Sequence, residues 1–526
     1  MSERTFWRGC LILVLGAFAA LLVWLVLRTS NAFLGARYFV LPDDGMISMR
    51  FARNLTAGRG WVWNTGERVQ GFTNFAWTLL MALVHLTPLP DRLTSLVLQI
   101  ASVMIHLLTA GYIWRRTKER ISPAWALAAM AGYLSSSCTT CWAISGWETS
   151  IVTLGWAIAL DPLLVRHQSI DSRGVWRSLF AAALTVLFRP DAELLFIALV
   201  IYWLLKTSPR SVLIAIVASS VFPIALGVFQ RLYYGSYVPN TAVLKRSAGV
   251  LSFIHGFEYL FTSLLRYPFN GAVLIGAAIG ARWLEKSERL LLGGLASAYL
   301  FYLISVGGDA FTHARFLLPL LPTATILTAE TLSRITFAGA GRKGFAWRVW
   351  GILSIALLSF DLADEVLVDV PGQKNLNRLA LITSEAIHVL SDGKDPLIGV
   401  FAAGAVPYFN PRLRFHDLLG KSDVHIARSE PHSGQPGHNH WDYDYSLANV
   451  RPDLIVTTYP LPRGRPPRYQ TGFRAVSDFY QDLYDQAEFA KLYLPHPIPI
   501  RADGEGGQGF EAYAREDGKL ANVVGP

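Results

Sequence analysis

Two adjacent carboxylates, Asp43 and Asp44, stand in the stretch Leu41-Pro42-Asp43-Asp44-Gly45, just past the long apolar segment Gly9 to Leu27. That position is where a first membrane helix would emerge. Carboxylates at a membrane face are costly to desolvate and add nothing to a core. They suit an enzyme that handles a sugar hydroxyl or a phosphate, because general-base work needs a carboxylate within hydrogen-bond reach of the proton it takes. An amphipathic helical pattern follows from Gly45 and stops near Gly58. One Asp can cap that helix. Adjacent residues point in different directions, which leaves the other for chemistry, so Asp43 and Asp44 are the candidate catalytic pair. Arg50 and Arg53 lie three apart and share a side of the helix. They suit snorkelling to headgroup phosphates or contact with a lipid-linked phosphate.

Other polar groups recur where apolar segments end. Trp61-Val62-Trp63-Asn64 and Gly71 to Trp77, with Asn74, mix aromatic and polar side chains. Such a mixture serves as an interface belt or as a platform on which rings stack against sugars. Glu148, Arg189 and Asp191 either meet substrate or pair with one another inside the bundle. Asn240, Thr241 and Lys245 follow a Tyr-Tyr-Gly turn, and Lys245 suits a phosphate. Asp309, His313 and Arg315 form a polar break before the apolar run from Phe316. Arg315 leads the candidates for a donor's phosphate, with Lys245, His313 and Arg189. A polyprenyl phosphate leaving group needs its developing charge stabilised and needs no acid catalyst. Asn64, Asn74, Glu148, Asn240, Asp309 and Trp63 are the candidate substrate contacts. No cofactor is required by this reading, which leaves open a divalent cation, Mg or Mn. His432, His438, His440, Asp442 and Asp444 have metal-ligand side chains, but their Gly-Pro-rich setting reads as a flexible loop or a lid, and no metal ligand is assigned.

These residues need elements to hold them. The chain has 526 residues, 52% hydrophobic and 16% charged, with mean hydropathy +0.34. A soluble protein would carry about 25% charge. Apolar blocks of roughly 17 to 22 residues are long enough to cross about 30 Å of hydrocarbon. The expected fold is mainly α, a polytopic transmembrane helical bundle of about eleven spans. The segments lie near 8–28, 93–114, 122–143, 150–165, 176–188, 192–205, 211–231, 269–284, 290–306, 316–335 and 347–362. The block 75–88 is shorter and reads as interfacial or re-entrant. The first block is too long for a cleavable signal and reads as a retained anchor. A net charge of +9 would suggest nucleic acid in a soluble protein. Here the basic residues gather at segment ends, so topology accounts for them. With the N-terminus inside, they fall on the cytoplasmic side, and the polar constellations and the tail fall outside. Residues 1–362 then form the membrane domain, with its first outer loop at 29–92. Residues 363–526 form an outer α/β or α+β domain with β-like runs Pro396–Phe401, Leu454–Thr458 and Phe489–Leu494. Cys10, Cys138 and Cys141 make no disulfide framework. A flippase or transporter would need ionisable groups at mid-span, and His106 and Asp161 are the visible ones.

Taken in order, several stretches look familiar: Leu41-Pro-Asp-Asp-Gly45, Ile47 to Asn54, Trp63 to Val69 with Gly71-Phe-Thr-Asn74, and Ser145-Gly-Trp-Glu-Thr149. Arg189-Pro-Asp191, Tyr234-Gly235 with Pro239-Asn-Thr241 and Lys245, and Gly307-Gly-Asp309 with Arg315 to Pro319 continue the series. Asp417-Leu-Leu-Gly420 with Asp423, and Pro436-Gly-His438 with Pro452-Asp453, complete it. The set resembles the GT-C superfamily of polytopic glycosyltransferases, and more closely the terminal β-(1→2) arabinofuranosyltransferase family. The resemblance implies a catalytic role for Asp43 and Asp44 and a polyprenyl-phosphate pentose donor, with arabinofuranose the expected sugar. It implies a glycan or glycoprotein acceptor at the outer face of a bacterial cytoplasmic membrane. Mannose and aminoarabinose are the alternative sugars.

Overall fold

The computed structural model describes residues 2–165, 172–207, 209–246, 249–337, 369–432, 436–456, 476–498 and 510–520. The span expected at 347–362 lies outside the described residues. The chain divides into two compact units. One comprises Met1–Arg28, Leu96–Val228 and Gly256–Pro371; the other comprises Thr29–Ser95, Phe229–His255 and Gly372–Pro526. Of the expected outer domain, 363–526, the part from Gly372 on shares its unit with the first loop and with Phe229–His255, and the part up to Pro371 falls in the other unit.

The first unit is helical. The block expected as one span at 122–143 is two helices, Pro123–Ser135 and Ser137–Ile144, separated at Ser136. Ser136 is extended, at φ −62° and ψ 130°, and serines compete with helical backbone bonding through their hydroxyls. Pro190 likewise stops the helix Ser172–Phe188 and leaves Arg189 extended before Glu193–Lys206, as the residue before a proline prefers. The core includes Trp125, Tyr133, Trp142, Trp156 and Tyr299. Buried acids hold several of the basic residues expected at segment ends. Asp161 pairs with Arg116 and Arg177, and Glu330 with Arg120 and Arg334. His106 meets the Tyr133 hydroxyl through Nδ1 at 2.8 Å. Both mid-span groups thus have local partners.

Among the described residues, four helices are long and apolar enough to cross a membrane: Glu3–Thr29, Asp91–Arg120, Val212–Tyr234 and Arg315–Ile335. Gly249–Arg266 with Pro268–Trp283, bent by 98°, makes a fifth if the pair is one span. Phe75–His85 and Thr149–Leu164 are shorter apolar helices.

The second unit joins a short antiparallel hairpin, β1 (Asn31–Phe33) and β2 (Ala36–Tyr38), to the helices Asp43–Thr56, Phe75–His85 and Asn240–Arg246. Its sheet contains β3 (Leu397–Val400), β4 (Arg414–Asp417), β5 (Leu454–Val456), β6 (Tyr493–Ile498) and β7 (Phe510–Arg515), in the order β4-β3-β5-β7-β6. β4, β3 and β5 are parallel; β7 runs antiparallel to β5 and β6. Two of the three β-like runs fall on β3 and β5. The third, Phe489–Leu494, is split. Ala487–Leu492 is helical, built mostly from good helix formers, and β6 begins at Tyr493.

Candidate active site

In the second unit, Pro42 fixes the entry to the helix Asp43–Thr56 and leaves Asp43 and Asp44 in its first turn, where negative charge meets the positive end of the helix dipole. Neither carboxylate caps this helix, contrary to the expectation from sequence. Asp43 instead accepts the amides of Gly404, at 3.1 and 3.2 Å, and Ala405, at 3.1 Å. Gly404 is required there, since a Cβ would collide with the Asp43 carbonyl and carboxylate. Asp44 meets the ammonium of Lys421. The Asp44 side chain is 33% exposed and that of Lys421 11%. Burial raises the Asp43 pKa to about 6 against the pull of Lys421, with Asp44's charge adding to the rise.

Lys421 is delivered by the turn after β4. The buried Asp417 carboxylate accepts the amides of Leu419 at 3.1 Å and Ser422 at 2.7 Å. Burial also raises Asp417, to about 6, and those amides and Lys421 oppose it. Burial lowers Lys421, but Asp44, Asp43 and Asp417 outweigh it and hold the ammonium above its ordinary value. Sequence reading singled out Asp417-Leu-Leu-Gly420 but missed Lys421, which no local motif distinguishes.

Four expected substrate contacts sit in the scaffold around this pair. Asn64 exchanges bonds with the Phe415 backbone, at 2.7 and 3.2 Å, and so extends the edge of β4. Asn74 Oδ1 accepts from Ser48 at 2.9 Å and Thr78 at 3.0 Å. Asn240 donates to the Asp423 carbonyl at 3.1 Å. Trp63 donates to the Ala403 carbonyl at 3.0 Å and is 2% exposed. The aromatic stretch is therefore no exposed sugar platform: Trp61 packs on Phe72, Phe75 and Phe229. Arg50 and Arg53 are a second correction. Arg50 is buried, donating to the carbonyls of Trp63, Pro407 and Leu413. Arg53 holds the Tyr408 carbonyl and Asp91. Both cations find acceptors inside the protein.

The candidates of the first unit form a different cluster. Arg189 grips Asp191 with two bonds of 2.9 and 3.0 Å and lies 3.5 Å from Glu148. Arg315 donates to Asp309 at 2.7 Å. Its guanidinium lies 4.6 to 5.4 Å from the ring centres of Trp142, Trp147, Phe311 and Phe316. Arg315 Nε and Asp309 Oδ2 are buried without a hydrogen-bond partner among the described residues. His313 contacts Asp369 at 2.9 Å through Nε2. His313 and Ala314 have φ of 62° and 46°, a strained region for residues with a Cβ. The Tyr267 hydroxyl on the His313 amide and the Trp142 indole on its carbonyl hold that shape.

The histidines of the tail diverge. His432 stacks on Trp441, His440 bonds the Ser429 carbonyl and Asp442 pairs with His425. Among the described residues no three His, Cys, Asp or Glu side chains group as a metal site would.

These features lie in a fold shared with solved structures. The structure matches ArnT from Cupriavidus metallidurans with TM-score 0.57 and 16% identity over all of both chains. The same protein bound to undecaprenyl phosphate gives 0.53 and 13%, over 98% of this chain and 99% of that one. The arabinofuranosyltransferase AftD from mycobacteria gives 0.50 and 14%, over 98% of this chain and 42% of that one. The chain shares this fold, mostly helical and multi-pass in the membrane.

In sequence it is similar to terminal β-(1→2)-arabinofuranosyltransferases. Identity is 31% to that of Mycobacterium tuberculosis, covering 40% of this chain and 35% of the relative. It is 32% to that of Corynebacterium glutamicum, covering 57% and 49%. The chain thus spans less than half the length of either. GPI mannosyltransferase 3 of Yarrowia lipolytica is 23% identical over 65% of this chain and 66% of its own. Residues 378–501 match a family described as a domain of unknown function, DUF8728.

Proposed function

We propose that this protein is a membrane glycosyltransferase that moves a pentose, arabinofuranose by preference, from a polyprenyl-phosphate donor to a glycan or glycoprotein acceptor. The observation that carries the reading is Asp44, a partly exposed carboxylate held against Lys421 in a chain similar to arabinofuranosyltransferases. Asp43 is fixed by two backbone amides, and Asp44 is the carboxylate that keeps a third of its side-chain surface exposed. In the reaction the acceptor oxygen forms a bond to the sugar's C1 and its proton passes to Asp44. The bond from C1 to the phosphate oxygen breaks, and polyprenyl phosphate leaves with the electron pair. Charge developing at C1 is favoured by neighbouring carboxylate. Lys245, which shares a unit with Asp44, is the proposed phosphate contact.

The site stands at the outer face of the bacterial cytoplasmic membrane in this reading, with about eleven spans and the N-terminus inside. The test is incubation of the purified, reconstituted protein with radiolabelled polyprenyl-phospho-arabinose and candidate acceptors. Sugar incorporation that Asp44→Asn removes supports the reading. Transfer from mannosyl or aminoarabinosyl donors instead reassigns the sugar, and lipid movement without transfer makes the protein a flippase.

A further inference from the structure

The contact that presents Asp44 also restrains it. A carboxylate neutralised by an ammonium is a weak base, and Lys421 is well held. Gly420 has φ +77°, and a Cβ there would meet the Ala427 nitrogen at 2.7 Å. A Cβ on Gly71 would meet Ser422 Oγ at 2.7 Å and the Lys421 carbonyl at 2.9 Å. With Asp417 gripping two amides of the same turn, the Lys421 backbone has little room to move. Its side chain is the adjustable part.

That side chain has a second neighbour, His438 Nε2 at 3.4 Å. An ammonium has donors and no acceptor, so Nε2 accepts and the ring proton resides on Nδ1. Burial lowers the His438 pKa to about 3, and the charges of Lys421 and Lys245 push the same way. Nδ1 is buried and without a hydrogen-bond partner among the described residues. The Lys245 chain passes beside Gly437. The Lys421 ammonium at Asp44 thus has a neutral imidazole beside it, and the Lys245 charge acts on that same imidazole, a set that suits a phosphate oxygen.

We propose that the phosphate of an isoprenoid phosphate takes Lys421 from Asp44, so that donor binding releases the base for the acceptor. The proposal rests on the glycosyltransferase reading and adds an order of events: donor first, acceptor second. No bond is made or broken in the exchange; one ion pair replaces another.

The test is binding, measured without sugar transfer. The full-length protein is placed in phosphatidylcholine nanodiscs and titrated with undecaprenyl phosphate. The set is wild type, Asp44→Asn, Lys421→Met, Lys421→Arg and the Asp44→Asn/Lys421→Met double variant. Asp44→Asn is expected to tighten binding on the order of tenfold and Lys421→Met to weaken it by a similar factor, within the usual range of coupling between two partners of one group. Lys421→Arg keeps the cation and binds near wild type, which guards against a folding defect in the methionine variant. The decisive result is that Asp44→Asn no longer tightens binding once Lys421 is Met. Equal tightening in both backgrounds overturns the exchange, because the effect would then be long-range charge alone. The same pattern with phosphatidylglycerol overturns it too, since any anionic headgroup would do. Loss of transfer with this binding pattern intact would instead count against the glycosyltransferase reading.

Discussion

The two polar clusters pair opposite charges in opposite ways. In the first unit, Arg315 and Asp309 are 7% and 3% exposed, and the guanidinium is enclosed by four aromatic rings. In the second unit, Asp44 keeps a third of its side-chain surface and Lys421 11%, and the partner is a single ammonium rather than a planar fork. A buried pair of the first kind costs several kcal/mol to break, because the survivor is left charged in a poor solvent. A pair with one partner a third exposed costs less, because water reaches that partner. The contrast separates a pair that holds structure from a pair that can change partners during a reaction.

The sharpest way to break the comparison is to make each pair fail in the other's manner. Asp44→Asn is expected to lower sugar transfer about 10²- to 10⁴-fold, the usual worth of a general base, with the melting temperature of the reconstituted protein little changed. Near-normal transfer would remove Asp44 from the chemistry. Arg315→Met should do the reverse in kind. It strands Asp309 in a buried setting and should cost about 3–5 kcal/mol of stability, read as a fall in yield and in thermal midpoint. A variant as stable as wild type would show that the aromatic cage, not the ion pair, holds the loop.

How much of this was legible in the sequence follows from the same contrast. Asp43 and Asp44 stood out because a helix cap accounts for only one of two adjacent acids beside an apolar block. Glu148, Arg189 and Asp191 were equally visible, and their pairing was one of the two readings the residues allowed. What sequence could not show was pairing across hundreds of residues. Lys421, Gly404 and the carbonyls that hold Arg50 belong to the tail, and no spacing rule links them to residue 44. The same blindness hid the internal partners of Trp63, Asn64, Asn74 and Asn240. A polar side chain that braces a backbone edge carries the same residue type as one that meets a sugar. Helices were legible from apolar block length, but the break at Ser136 was not, since one extended serine leaves the composition of a block unchanged.

Gly404→Ala sharpens the division of labour between the two carboxylates. Its Cβ would strike the Asp43 backbone and carboxylate, and a tightly packed site repays such crowding with about 1–3 kcal/mol of destabilisation. The expected result is a lower thermal midpoint together with reduced transfer, because displacing Asp43 also shifts the helix turn that carries Asp44. Asp43→Asn should be milder on stability, since the amide oxygen still accepts one backbone N–H. If Gly404→Ala melts like wild type, the amides of Gly404 and Ala405 do not anchor the carboxylate.

The smallest effect is a difference in pH response within one turn. Burial raises Asp417 to about 6 from an ordinary value of 3.8, so the folded form binds its proton more tightly than the unfolded chain does. That contribution is fully present below about pH 4 and is lost as pH rises through about 6. His438 has the opposite sign. Its pKa falls to about 3 from 6.5, so below about 6.5 the unfolded chain takes up a proton that the folded form refuses. Stability is lost there as pH falls. In wild type the two trends oppose each other, and single variants expose them. Relative to wild type, Asp417→Asn should gain thermal stability between pH 4.5 and 7.5, whereas His438→Gln should lose its advantage over the same interval. Parallel shifts in both variants would mean that the turn after β4 and the Pro436–His438 segment do not carry the charges assigned to them, and the exchange at Lys421 would lose its neutral partner.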